Sequence, residues 1–415
     1  MSAQGLQVGL VSTAYPPVPG GMEVYVQKIA HALQETGNNV RVATRFATKR
    51  PDDGMRRLLT ESRAGIRRCD NGIPVTELAA GWKRFALKPV FRLQARRLTQ
   101  SLAKICFNIA YSGPLKEALG DCDVIHYSGT GREMTGFVAL NLARERNIPF
   151  VVTPHTHAGS WGDAPIDVSL YRQADAVIAL TAFEKSHLAG LGVPQSRIHV
   201  VGHGVTVEGT GEASRGRQMI NNHSGPFILY LGRKATYKGF GRTLEAAPEV
   251  WKRHPDAMFV FAGPDSDDTS EIREEHQAVL NDERVVELGF ISEQEKEDLL
   301  AACDIFCLPS EAEAYGLVYL EAWAYQTPVV AYAIPTVTEL VNAGAGGVLV
   351  REGDQTTAEA IASLLANRER RQALGNHGNR WVQAQTWHRV AQKLETIYVS
   401  NTGVPLQRNI GASTK

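Results

Sequence analysis

Between Asp304 and Val330 the sequence reads as one strand–helix–strand unit. Asp304-Ile-Phe-Cys-Leu-Pro-Ser310 is a short apolar run closed by Pro309-Ser310, and a loop carrying Glu313 follows. Gly316 then opens a run with helical spacing (Leu317, Leu320, Trp323, Ala324), which predicts a helix starting near Tyr315, before Thr327-Pro-Val-Val330 re-enters as a strand. Strands joined through a helix run parallel, so the chain belongs among α/β folds. The predicted helix start also sets free backbone N–H groups beside Glu313, an arrangement suited to an anion and most naturally to a phosphate. Glu321 falls in the second turn.

The eight-residue spacing of the two acids proves little by itself. Glu275/Glu283 and Glu287/Glu295 lie equally far apart. What separates Glu313/Glu321 is context: a strand, Pro-Ser, an acid, an aromatic-Gly-Leu helix start, a second acid, then Thr-Pro-Val-Val.

With 415 residues the chain is too long for one ordinary core and fits two α/β domains. The five cysteines show no metal-ligand spacing, and several sit in apolar runs, so free buried thiols in a reducing compartment are expected. No apolar run reaches the length of a membrane span, and Gln7 to Val11 reads as a strand rather than a signal peptide. A cytoplasmic protein is therefore expected. The formal net charge of zero hides an asymmetry: residues 1–205 hold 24 Lys and Arg against 16 Asp and Glu, and the remainder 20 against 28. Halves of opposite sign suggest domains with different partners.

In chain order, Val8 to Thr13 is a strand running into Pro16-Pro-Val-Pro-Gly20-Gly21, and a helical pattern follows from Val24 to Leu33. This loop is neither a dinucleotide fingerprint nor a Walker motif, but adjacent glycines let backbone approach a bulky anion. Residues 78–116 contain eight Lys or Arg and no acid, with Arg84, Lys88, Arg92 and Arg96 at intervals of four. Trp82, Phe85, Val90, Phe91 and Leu93 add apolar surface. The stretch is compatible with peripheral contact to an anionic membrane face, and equally with a solvated basic helix that Pro89 would interrupt. Asp121-Cys-Asp123 spells a D-x-D, but Asp123 directly precedes the strand Val124-Ile-His-Tyr, so a capping role is expected and no metal site. Phe150-Val-Val-Thr153 is a buried strand ending in Pro154-His155-Thr-His157, which sets His155 where ligands gather in parallel sheets. Residues 208–225, rich in Gly, Ser and Asn, read as a linker. Phe227-Ile-Leu-Tyr-Leu231 then delivers Gly232-Arg233-Lys234-Ala-Thr-Tyr-Lys238, where Arg233 and Lys238 form a clamp suited to a diphosphate. Trp387 to Tyr398 is an amphipathic helix.

On these residues the chain resembles the retaining glycosyltransferases of family 4 (group 1 glycosyltransferases), whose signature is Glu, seven residues, Glu, with Phe-Gly or Tyr-Gly inside it. The resemblance runs from the glycine loop to the last helix and is most specific between Tyr230 and Val330. It implies the GT-B fold: two Rossmann-like domains with parallel sheets facing across a cleft, and a C-terminal helix crossing back to the first domain. The expected segments are an acceptor-side domain over 1–207, a linker over 208–225, a nucleotide-sugar domain over 226–385, the returning helix over 386–400 and a disordered tail over 401–415. The implied reaction moves a hexosyl unit, with retention, from a nucleoside-diphosphate sugar (UDP or GDP most of all) to an acceptor hydroxyl on a glycan, lipid or small molecule, with neither cofactor nor metal. A role in cell-surface glycan or glycolipid synthesis is expected, in the cytoplasm or at the inner face of the membrane, and no nucleic acid partner. A nucleotide-sugar epimerase or hydrolase, or a non-catalytic donor-binding subunit, are the alternatives. By resemblance His155, Arg233, Lys238 and Glu313 are catalytic, and Gly20, Gly21, Arg233, Lys238, Glu313, Tyr315, Gly316, Leu317 and Glu321 bind the donor. The family commonly carries Asn-Gly-Val-Asp where this chain has His203-Gly-Val-Thr206, so the resemblance assigns no donor contact to those two positions.

Overall fold

The computed structural model describes residues 5–51, 54–206, 209–351, 353 and 356–403. The chain divides into two compact units, Met1–His203 with Trp387–Lys415, and Gly204–Thr386. In the first unit β1 (Gln7–Ala14), β2 (Asn39–Phe46), β3 (Arg67–Asp70), β4 (Ile73–Glu77), β5 (Val124–Ser128), β6 (Phe150–Thr153), β7 (Ala176–Ala179) and β8 (Ile198–Val200) form one sheet in the order β3-β4-β2-β1-β5-β6-β7-β8. Every pairing is parallel except β3 with β4. The second unit holds β9 (Phe227–Leu231), β10 (Met258–Ala262), β11 (Val285–Leu288), β12 (Ile305–Leu308), β13 (Val329–Tyr332) and β14 (Gly347–Val350), all parallel, in the order β11-β10-β9-β12-β13-β14.

Helices cover both faces of a parallel sheet, so its strands are continuously apolar rather than alternating. All five residues of β9 and of β10 are buried. Each sheet also contains a place where the strand order reverses, between β1 and β5 in the first and between β9 and β12 in the second. Loops leaving the carboxyl ends of such strands diverge and open a crevice. The loops after β1, β9 and β12 carry most of the residues singled out in the sequence.

The last helix, Trp387–Thr402, belongs to the first unit and packs on helix Gly21–Glu35. It is tied there by polar contacts, most of them buried. The Tyr398 hydroxyl lies 2.6 Å from His126 Nδ1, whose Nε2 is 2.7 Å from the Thr153 hydroxyl. Burial pushes the His126 imidazole down to about 3, so the ring is neutral. Asn38 Nδ2 donates to Glu395 Oε1 at 2.6 Å, and Lys393 Nζ to the Val201 carbonyl at 2.7 Å.

Three expectations need correction. The expected linker is folded: helix Ala213–Gln218 belongs to the second unit, and Arg215 makes a two-pronged bond to Asp298. Its small residues serve close packing, since a Cβ on Gly216 would stand 2.2 Å from the Asp298 carbonyl oxygen. The boundary accordingly falls at His203/Gly204 and Thr386/Trp387. The basic stretch is interrupted at Pro89 as expected, and it forms the pieces Gly81–Leu87, Val90–Ala95, Arg97–Thr99 and Gln100–Leu119, so the four-residue spacing of its cations runs through separate elements. Of the cysteines, Cys303 and Cys307 are buried but Cys69 is exposed, and all five are free. The last helix continues to Thr402, and residues 404–415 of the expected tail lie outside the described residues. Among the described residues no helix is long and apolar enough to cross a membrane.

Tyr398→Phe leaves a buried imidazole nitrogen without its partner. Unfolding in urea followed by circular dichroism should show a loss of about 1–3 kcal/mol; an unchanged midpoint would mean that this bond does not hold the last helix.

Candidate functional site

In the second unit the loop after β9 runs Gly232-Arg233-Lys234-Ala235 into a 3₁₀ turn, Thr236–Lys238. Two contacts pin the turn: Thr236 N donates to Asp268 Oδ2 at 2.8 Å, and Glu311 N to the Tyr237 carbonyl at 2.7 Å. Because β12 is the neighbour of β9, its following loop arrives alongside. Lys238 Nζ and Glu313 Oε1 meet there at 2.7 Å, 17% and 9% exposed. The structure thus brings together a cation and an acid lying 75 residues apart in sequence.

Helix Leu317–Ala324 starts two residues later than the expected Tyr315. Gly316 is the N-cap, with φ 89°, and a Cβ there would also stand 2.5 Å from the Tyr319 ring. Tyr319 donates from its hydroxyl to the Leu308 carbonyl at 2.7 Å, fixing the helix to the end of β12. Tyr315 is buried. Glu321 Oε1 accepts from Lys296 Nζ at 2.8 Å, and the same ammonium reaches Glu293 at 2.6 Å. Burial alone would push the Lys296 ammonium down, but the two carboxylates outweigh it and its pKa rises, so it stays charged. Arg233 is exposed, its backbone carbonyl held by the Tyr230 hydroxyl at 2.7 Å.

Sequence reasoning missed the neighbour of these residues. Lys234 is 2% exposed, with Nζ 2.8 Å from Glu287 and 3.7 Å from Asp265. Arg273 bonds both of the same acids. This network borders a cavity of about 410 Å³ at the carboxyl ends of β9, β10 and β11, also lined by Pro264 and Phe290. The available signal was the pair of strand endings Gly263-Pro264 and Gly289-Phe290.

In the first unit Gly20 caps helix Gly21–Glu35 without a side-chain bond, and the space where a Gly21 Cβ would lie is open for 4 Å. Tyr25, in the second turn of that helix, meets the His155 ring edge-on with centroids 4.8 Å apart. The glycine loop's helix and His155 are therefore neighbours. His155 follows β6 with φ 53° and is buried, and its Nε2 finds no hydrogen-bond partner among the described residues. Burial first, and then the nearby His203, His157 and His126, push its pKa down to about 3, so it is a neutral imidazole. Glu184 fixes the adjoining backbone: one oxygen accepts from Thr156 N at 2.9 Å, the other from Leu180 N at 2.7 Å. The His157 backbone forms an antiparallel bridge with Trp161, and its ring is close enough to His155 to act on it electrostatically. His203, where the family commonly has Asn, packs its ring at 5.2 Å from Tyr25 and 4.7 Å from Trp387. Asp123 of the D-x-D accepts from Gln7 N at 2.8 Å, at the start of β1.

Two parallel α/β units, with glycine loops at their strand-order reversals and an acid–cation pair beside a helix start, define a GT-B protein of the nucleotide-sugar type. Residues 20–204 match the family described as "Glycosyl transferase 4-like domain" and residues 216–381 that described as "Glycosyl transferases group 1". The chain belongs to the group 1 glycosyltransferases. It is 27% identical over 408 residues to D-inositol 3-phosphate glycosyltransferase 1 of Catenulispora acidiphila, covering 92% of this chain and 91% of that one. Among solved structures it is similar to sucrose-phosphate synthase from Thermosynechococcus elongatus (TM-score 0.73, 23% identity, 95% and 98% coverage). It is also similar to Anabaena Alr3699/HepE in complex with UDP-glucose (TM-score 0.68, 18% identity, 94% and 99% coverage).

The Glu184 carboxyl is pushed up to about 7 from an ordinary 4.5, by burial that its amide donors only partly offset. A raised carboxyl means that the folded state holds the proton more tightly. Its contribution is complete below about pH 4.5 and is lost as pH rises through about 7. Denaturant unfolding across this range should show a falling stability that Glu184→Gln flattens; parallel curves would mean that Glu184 does not titrate there.

Proposed function

We propose that this glycosyltransferase moves a hexosyl unit, with retained anomeric configuration, from a UDP- or GDP-sugar to an acceptor hydroxyl. The observation that carries this reading is the Lys238–Glu313 pair at the β9/β12 reversal, beside the start of helix Leu317–Ala324. The C1–O bond to the diphosphate breaks while the acceptor oxygen bonds C1 from the same face, and the acceptor proton passes to a donor phosphate oxygen. The charge that grows on the leaving diphosphate is the costly one. Lys238, Arg233 and the amides of Gly316 and Leu317 neutralise it, which removes the need for a divalent metal. Glu313 accepts from hydroxyls of the transferred sugar. Glu321, oriented by Lys296 through one oxygen, accepts from the ribose hydroxyls through the other. The Lys234-bordered cavity receives the nucleoside, being of the few-hundred-Å³ size that small ligands occupy. In the first unit Gly20 and Gly21 are assigned to the diphosphate, with open space at the Gly21 Cβ position and Glu23 filling that of Gly20; Tyr315 completes the donor site in the second, and His155, neutral and with a free nitrogen, is assigned to the reacting sugar.

For the acceptor we favour a cell-surface glycan or glycolipid precursor. The second reading, a soluble polyol phosphate, has its own support in the D-inositol 3-phosphate glycosyltransferases that match nearly the whole chain.

A thermal-shift panel of UDP-, GDP-, ADP- and dTDP-sugars identifies the donor, since ligand at 100 times its dissociation constant adds about 2.7 kcal/mol. With that donor, Lys238→Ala should lower transfer by about 10² or more while melting close to the wild type, and EDTA should leave the wild-type rate unchanged. Near wild-type transfer by the variant removes the clamp assignment. Nucleotide release at the full rate without any acceptor would mark a hydrolase or epimerase instead, and binding without turnover a donor-binding subunit.

A further inference from the structure

Helix Gln100–Leu119 carries apolar side chains on two sides. Ala103, Phe107, Ala110 and Tyr111 are buried in the core of the first unit. On the other side, Leu98 just before the helix and then Leu102, Ile105 and Ile109 follow one another at steps of four, three and four residues, which lines them up as one stripe. Leu98 is 97% exposed and the other three between 46% and 55%. Single surface leucines are ordinary, but a helix apolar on both sides is one that normally has something packed on each. The segment Gly81–Leu87, which packs on the same helix, adds Trp82 and Phe85 with ring centroids 5.9 Å apart, both exposed.

Charge decides what covers this face. Residues 78–116 hold eight Lys or Arg and no Asp or Glu. Arg84, Lys88, Arg92, Arg96 and Arg97 are all exposed. The acids of adjoining elements are already engaged, Glu117 with Arg67 and Glu145 with Lys116. A second copy docking through a twofold axis would set this basic rim against itself. A bilayer carrying anionic headgroups satisfies both features at once: leucine, isoleucine and tryptophan side chains enter the boundary between headgroups and acyl chains, and the long cations stay at the phosphates. We infer that the face formed by the Leu98–Ile109 stripe, Trp82, Phe85 and their basic rim docks the first unit on an anionic membrane surface. Breaking the basic stretch into short pieces is what allows it: Trp82, Phe85, Arg84 and Arg92 stand on short helical segments packed against the long helix rather than along it.

The inference does not depend on which acceptor is used, and its test contains no donor. The full-length protein is floated with vesicles of phosphatidylcholine alone and of phosphatidylcholine mixed with phosphatidylglycerol, at low and high salt. Expected are flotation with the mixed vesicles at low salt and none with phosphatidylcholine alone. Both Leu98→Asn/Leu102→Asn/Ile105→Asn and Arg84→Gln/Lys88→Gln/Arg92→Gln should bind at least about tenfold more weakly while melting like the wild type. Absence of flotation with the mixed vesicles overturns the inference. So does equal flotation of the apolar variant, which would mean plain electrostatic adsorption, and so does a stripe-dependent dimer by light scattering that does not float.

Discussion

The pairing of β9 with β12, in parallel register at Ile228–Ile305 and Leu229–Phe306, is the constraint on which the second unit's chemistry depends. These strands are 74 residues or more apart in sequence, and each sends its chain away in the opposite direction. Their carboxyl ends therefore release two loops side by side with room between them. A lysine on one and a glutamate on the other then meet at 2.7 Å without any local sequence contact. The Tyr319 bond to the Leu308 carbonyl keeps the helix start at that same edge.

Such an ion pair is not chiefly a stabilising device. Partly exposed pairs contribute little, since desolvation and side-chain ordering offset the attraction. What the pair provides is a fixed cation in a place that strands and turns have already organised. The same holds for Lys296, whose ammonium orients Glu321 from a neighbouring helix.

Legibility in the sequence followed periodicity and punctuation. Strands buried on both faces, such as Phe227–Leu231 and Met258–Ala262, could be read as apolar runs ending in glycine, because nothing but a parallel sheet core requires that pattern. The helix at Leu317 could be placed to within two residues, the error coming from a left-handed Gly316 that sequence spacing does not reveal. The linker was misread because small polar residues are ambiguous: Gly216 permits close helix packing, yet in composition looks like flexibility. The Lys234–Glu287–Arg273–Asp265 network was invisible, since its members come from three separate segments and only the sheet order brings them together. The exposed Leu98–Ile109 stripe was missed for the converse reason, because both sides of the helix are apolar and no single periodicity stands out.

The Tyr398–His126 contact joins residues 272 positions apart, and the whole of the second unit's sequence lies between them. During synthesis from the N-terminus, the second unit's chain is complete before the helix that finishes the first unit has been made. Until Trp387–Thr402 emerges, helix Gly21–Glu35 has an uncovered face and His126 a buried nitrogen with no phenol to meet it. The unit that is translated first is thus the one that can finish folding last, and Tyr25 and His155 beside it inherit that order.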